Sequence, residues 1–142
     1  MDIKRISFSE LKNWKECPHR HKLIHIDKLP YFEGNEFTAF GTAIHSVCEE
    51  IITDTSKDAY STFQSEFLKE LSELKSQGKQ LNEKLVQDMR AQAKPICQQV
   101  IPEVKNHFGN FEVVSVEEEI LEPIKEFESN GRNFKGFIDL TI

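Results

Sequence analysis

The sequence predicts an α+β domain, helical over residues 1–110 and stranded over residues 111–142. Three observations carry this prediction. Apolar residues recur at helical spacing in long stretches between Phe40 and Val104. After Phe108-Gly109-Asn110 the period shortens and β-branched residues gather, as strands require. Asn130-Gly131 then separates two further extended runs, and that dipeptide favours a tight hairpin turn.

In chain order, Ser7 and Glu10 have the spacing of a capping box. They open a short helix whose Leu11 and Trp14 make one apolar stripe. Pro18 restricts Cys17, ends that helix and suits the first position of a second one running from His19 to Ile26. The basic residues of this second helix, Arg20 and Lys22 among them, are either a solvated face or contacts to phosphate. Leu29 to Glu36 reads as a loop, from its Pro and Gly-Asn punctuation.

The central stretch follows. Phe40, Ala43, Ile44, Val47, Cys48, Ile51 and Ile52 fall on one broad face of a helix. Gly41, His45 and Glu49 are four apart and climb one line beside that face. A glycine inside a helix costs about 1 kcal/mol against alanine, which makes sense if a backbone or ligand passes close by. The line is either a metal-binding ridge or a histidine hydrogen-bonded at the rim of the core. Thr53 to Ser56 closes the helix or caps the next.

A second amphipathic pattern runs from Asp58 to Ser76 through Tyr60, Phe63, Phe67, Leu71 and Leu74, and Gly78 interrupts it. A third starts at Leu81 and includes Leu85, Met89, Ala93, Ile96, Val100 and Val104. Pro95 and Pro102 lie inside it and predict kinks or breaks. Both patterns read as packing elements without catalytic residues. Phe111 to Ile120 reads as a strand, and the hairpin arms as Ile124–Ser129 and Arg132–Ile142. In the last arm Phe134, Ile138, Leu140 and Ile142 share one face, and Phe137, Asp139 and Thr141 the other. Asp139 is then either a carboxylate buried on an interior strand, which needs a partner or a metal, or an exposed acid on an edge strand.

Composition bounds the function. The chain has 142 residues, 38% hydrophobic and 30% charged, which suits one domain with a core. It has no apolar run near the roughly 20 residues of a membrane span and no secretory leader, so a cytoplasmic protein is expected. Cys17, Cys48 and Cys97 form no Cys-x-x-Cys pair, so neither a disulfide framework nor a zinc site is encoded. The net charge of −6 argues against broad coating of DNA by basic residues. It does not exclude an enzyme that reaches phosphates through bound metal ions.

Four stretches, in this order, resemble the PD-(D/E)XK nuclease superfamily, and its RecB-like exonuclease branch in particular. SFSELKNWKECPHRHKLIHIDKL, Ser7–Leu29, is similar to the N-terminal helix pair with its Cys-Pro. FGTAIHSVCEE, Phe40–Glu50, is similar to the Gly-x-x-x-His motif and the glutamate that often follows. VVSVEEEI, Val113–Ile120, resembles the first core strand, where Glu117 matches a recurring glutamate. FKGFIDLTI, Phe134–Ile142, resembles the second, whose Gly-x-Ile-Asp carries the first metal-binding acid.

The resemblance implies a restriction-endonuclease-like fold and a DNA nuclease dependent on Mg²⁺ or Mn²⁺, serving recombination, repair or phage DNA processing, with DNA and a protein complex as partners. It implies that His45 and Asp139 ligate metal, that Glu117 is a ligand or supports one, and that Glu49 orients the site. It also implies a third strand with an Asp/Glu-x-Lys, and none follows Asp139 here. The expectation is therefore a piece of a longer protein, or an incomplete reading frame, that cannot cleave DNA alone. In iron–sulfur members a cysteine near the Cys17 position joins three more beyond that third strand, so this sequence leaves a cluster unassessed. Two other readings stand beside the enzyme. One is a degenerate nuclease fold that binds DNA or a protein. The other is a helical interaction domain in which His45 and Asp139 never meet.

Overall fold

The computed structural model describes residues 4–30, 33–125 and 132–142. Backbone contacts divide the chain into two compact units. One is Met1–Glu33 with Glu117–Asp139, the other Gly34–Val116 with Leu140–Ile142.

The second unit is built on three helices, α3 (Glu36–Thr53), α4 (Ala59–Ser76) and α5 (Glu83–Phe108), which pack pairwise. Asn35 starts α3 with a full capping box: its side chain accepts from the Phe37 and Thr38 amides, and the Thr38 hydroxyl answers the Asn35 amide. Asp58 and Asn82 cap α4 and α5 in the same role. The Glu36 carboxylate accepts the Asn82 amide at 2.7 Å, which ties the start of α3 to the start of α5 and lowers the Glu36 pKa. At the end of α4 the amide of Lys79 reaches the Leu74 carbonyl and that of Gly78 reaches Lys75. Gly78 takes the positive φ of 81° that this Schellman stop demands, which is why the pattern breaks there.

Burial in this unit follows the predicted periodicity, with one shift. On α3 the innermost line is Ala39, Ala43, Val47 and Ile51, and Phe40 and Ile44 flank it. On α4 it is Phe63, Phe67, Leu71 and Leu74, and on α5 it is Met89, Ala93 and Cys97. Small residues on α3 let α4 approach closely enough for Phe40 to meet Phe63 and Phe67 edge-on, at ring separations of 5.6 and 6.0 Å. The expected break at Pro95 or Pro102 does not occur, since α5 runs as one helix through both. Each proline removes only one backbone donor. Both are exposed residues, and the buried line on the opposite side continues past Pro95 from Ala93 to Cys97.

In the first unit β1 (Lys4–Ser7) leads into α1 (Phe8–Glu16), α2 (Pro18–His21) and a π-helical turn, Lys22–Ile26. The helix expected to reach Ile26 does so, but its last part is wound more loosely. Ser7 caps α1 by accepting the Glu10 amide; the Glu10 side chain goes to His21, so only this half of the predicted box forms there. Three strands form one sheet in the order β1-β3-β2, with β2 at Ser115–Pro123 and β3 at Arg132–Thr141. β1 runs parallel to β3, from Lys4 opposite Arg132 to Ser7 opposite Lys135.

Two expectations about the strands need correction. The first strand starts at Ser115, not Phe111, because in the stretch before it Val114 alone sends an amide to β3, at Thr141. The strand beside β3 begins before the expected arm Ile124–Ser129: β2 is its neighbour, and of the arm's described residues Ile124, just past β2, donates its amide to Arg132. The Asn130-Gly131 turn and residues 126–129 lie outside the described residues.

Candidate metal centre

β3 is the central strand of the sheet, but β1 lies beside it only from Arg132 to Lys135, so Asp139 stands past that pairing and its side chain is exposed. Both faces are open there: Phe137 is 54% and Ile138 40% exposed. Strand alternation puts Lys135, Phe137 and Asp139 on one side of β3. Lys135 pairs with Glu119 across the strands at 3.0 Å and lies over the Phe137 ring. The sequence signal for Lys135 is its place two and four residues before Phe137 and Asp139.

β2 and β3 are antiparallel, and one residue of β2 is extra. Val114 donates to Thr141 and Ile124 to Arg132, so ten steps along one chain match nine along the other. That is the count of a β-bulge. Among the described strand residues only Glu117 has a positive φ, 50°. For a residue with a Cβ this conformation costs on the order of 1–3 kcal/mol, and it persists only where the surroundings enforce it. The result here is that Glu117 and Asp139 offer carboxylate oxygens within 4.8 Å of each other.

Two carboxylates that close repel when both are ionised, and a cation or a shared proton relieves the repulsion. Oxygen donors of this kind suit hard divalent cations, which sit about 2.0–2.6 Å from each oxygen. Two oxygens at the observed separation reach one such ion with small side-chain rotations. The pair therefore fits a hard divalent cation by donor type and by spacing.

His45, Glu49 and Gly41 belong to the helical unit, on α3. The His45 imidazole meets Glu49 through Nδ1, one helical turn away. With that N–H donated to the carboxylate, Nε2 is the acceptor nitrogen, the arrangement that prepares a histidine to ligate metal. A Cβ on Gly41 would meet no described atom within 4 Å, so no protein neighbour among the described residues calls for the glycine. Cys48 is a poor ligand, because burial, and then the charge of Glu49, pushes its thiol pKa up. Arg20 and Lys22 are exposed in the other unit and each faces a nearby carboxylate, Glu16 at 3.6 Å and Asp27 at 3.7 Å.

One prediction belongs to Glu117 itself. Asparagine tolerates the left-handed backbone better than glutamate and carries no charge. Glu117→Asn is expected to leave unfolding stability equal or raised by up to about 1 kcal/mol, and to weaken Mn²⁺ binding about 10- to 100-fold. Thermal unfolding and calorimetric titration check the two halves; loss of stability with unchanged Mn²⁺ affinity would mark Glu117 as merely structural.

The sequence model of the PD-(D/E)XK nuclease superfamily covers residues 5–142. No curated protein and no solved structure matches the chain.

Proposed function

This chain belongs to the PD-(D/E)XK nuclease superfamily, and from that premise we propose that it carries the cation site of a DNA nuclease of the RecB-like exonuclease branch. Helices with a small mixed sheet agree with the α+β, restriction-endonuclease-like architecture of such enzymes. The observation that carries the reading is the Glu117–Asp139 pair, held within 4.8 Å by a strained strand residue.

In this reading Asp139 and His45 hold Mg²⁺ or Mn²⁺, with Glu117 as the second carboxylate. The cation, when bound, supplies Lewis acidity and positive charge for phosphodiester hydrolysis. Asp139 and Glu117 supply the negative charge that retains it. The imidazole makes the donor set softer and favours Mn²⁺ over Mg²⁺. Glu49 holds the ring through Nδ1, and Gly41 leaves the approach to α3 clear for substrate. Arg20 and Lys22 meet the DNA backbone. The work is DNA recombination, repair or phage DNA processing, within a protein complex in the cytoplasm.

A second reading is a non-catalytic nuclease-fold module that binds DNA or a protein; an Asp/Glu-x-Lys encoded beyond Ile142 would favour the enzyme over it. On either reading the chain is expected to take up Mn²⁺, and on the first it cleaves DNA. Calorimetric titration with Mn²⁺, run beside an end-labelled DNA cleavage assay, tests this. Absence of Mn²⁺ uptake would remove the cation site, and with it the nuclease reading. Cleavage that Asp139→Ala abolishes would rule out the module.

No helix among the described residues is long and apolar enough to cross a membrane.

A further inference from the structure

The helical unit carries an open groove of about 570 Å³ along α4 and α5, walled by residues between Leu68 and Arg90. On α4, Leu68, Leu71 and Lys75 recur at helical spacing, and on α5, Glu83, Val86 and Arg90 do the same. Two such stripes on neighbouring helices are ridges between which a further helix packs. Leu71 belongs to the buried core, and Leu81 and Val86 pack half-buried against it, so the floor of the groove is apolar and already ordered. Leu68, 57% exposed, extends that floor to the surface.

Charge selects the occupant. Lys75 stands on the α4 wall and Arg90 on the α5 wall, and Lys79 joins them from the connection between the helices. Against these three cations the groove has one carboxylate, Glu83. The chain as a whole carries −6, so this is a basic strip on an acidic protein. No carboxylate among the described residues pairs with Lys75 or Arg90, whereas Lys22, Lys57 and Lys135 each meet one. Answering cations on both walls takes several anions, and a fatty acyl chain brings one, at its end. Among the described residues no aromatic side chain lines the groove, so nothing there stacks on a nucleobase. A helix with an apolar stripe edged by aspartate or glutamate meets both the floor and the rim.

We infer that this groove docks an acidic amphipathic helix of a partner protein. Its apolar stripe lies on Leu68, Leu71 and Val86, and its carboxylates meet Lys75 and Arg90. From Leu68 to Lys75 the wall runs about 10 Å, two turns of such a helix. A contact of that length is small and reversible. The inference concerns the helical unit alone and does not rest on the nuclease reading.

The test titrates the chain, in EDTA, into a fluorescein-labelled peptide of about 15 residues, long enough to sustain a helix. The peptide has leucine at helical spacing and glutamate around it, and its anisotropy is followed. Saturable binding is expected, weakening as salt rises. A peptide with lysine in place of glutamate keeps the stripe and should bind about tenfold more weakly or worse. Arg90→Glu should weaken the acidic peptide about tenfold, because it turns an attraction into a repulsion of similar size. It should also bind the lysine peptide better than the parent does. Leu68→Ser should weaken the acidic peptide by about tenfold through the lost apolar contact. Both positions are exposed, so both variants keep the fold, which helical circular dichroism verifies. Lys12→Glu, in the other unit, should bind as the parent does. No binding, equal binding of the two peptides, or parental binding by both Arg90→Glu and Leu68→Ser would overturn the proposal. Displacement of the acidic peptide by oligothymidylate would overturn it in favour of nucleic acid. Self-association of the chain that Arg90→Glu abolishes would overturn it in favour of a second copy. Because EDTA removes the cation, failure here leaves the metal centre untouched, and failure of Mn²⁺ uptake leaves this groove untouched.

Discussion

Asp139→Ala is expected to weaken Mn²⁺ binding by about 100-fold or more, while the fold survives. Even an outer-shell partner of a metal site is worth about 10- to 100-fold in affinity, and a charged ligand should reach at least the upper end. Asp139 is exposed, and away from special contacts an exposed substitution changes stability by only about 0.5 kcal/mol in either direction. It also stands beside Glu117, so removing it relieves repulsion in the metal-free chain. A ligand at about 100 times its dissociation constant adds roughly 2.7 kcal/mol to the folded state. The parent's unfolding temperature should therefore rise with Mn²⁺, and that of the variant should stay flat. Thermal scans with and without Mn²⁺ read both at once. A variant that is stabilised by Mn²⁺ as much as the parent would take Asp139 out of the site.

Phe63→Ala should give the largest loss of stability, about 3–5 kcal/mol. Its ring is fully buried and lies between Phe67, stacked at 5.1 Å, and Phe40, edge-on at 5.6 Å. Alanine leaves a cavity that the helix backbone cannot close, because Phe67 and Leu71 on the same line hold α4 in place. Against a typical total of about 5–15 kcal/mol this is a large fraction. Phe37→Ala provides the control, since Phe37 is 64% exposed and its loss should cost under about 0.5 kcal/mol. Urea unfolding followed by helical circular dichroism measures both. A loss below about 1 kcal/mol at Phe63 would mean that the three-helix core is packed differently.

The helices were legible because burial there follows one period. Phe63, Phe67, Leu71 and Leu74 are the apolar positions of the sequence and also the buried line of α4. Local rules located their ends too, as at Asp58 and Gly78. What stayed hidden depends on distant partners. β1 has one apolar residue, Ile6, in four, and becomes a strand only because β3 lies beside it. Trp14 and Leu11 keep helical spacing yet line an open cavity, since periodicity locates a face without saying what covers it.

The acids divide in the same way. Asp139 stands out in the strand pattern and Glu117 in the motif resemblance, but the bulge that brings their oxygens together leaves no trace in alternation. It is a count across two strands, and a single strand's sequence does not contain that count. Pro95 and Pro102 mark the converse case, where α5 continues without a break through two residues that predict a kink or a break.

In the proposed nuclease the His45 imidazole and the Asp139 carboxylate share one divalent cation. Mn²⁺ is paramagnetic and broadens proton resonances close to it, and the chain has only five histidines to resolve. Sub-stoichiometric Mn²⁺ is predicted to erase the ring signals of one histidine first, the one missing from the His45→Gln spectrum, and to leave them sharp in Asp139→Ala. Ring signals of His45 that stay sharp in the parent, or that vanish equally in Asp139→Ala, would contradict it.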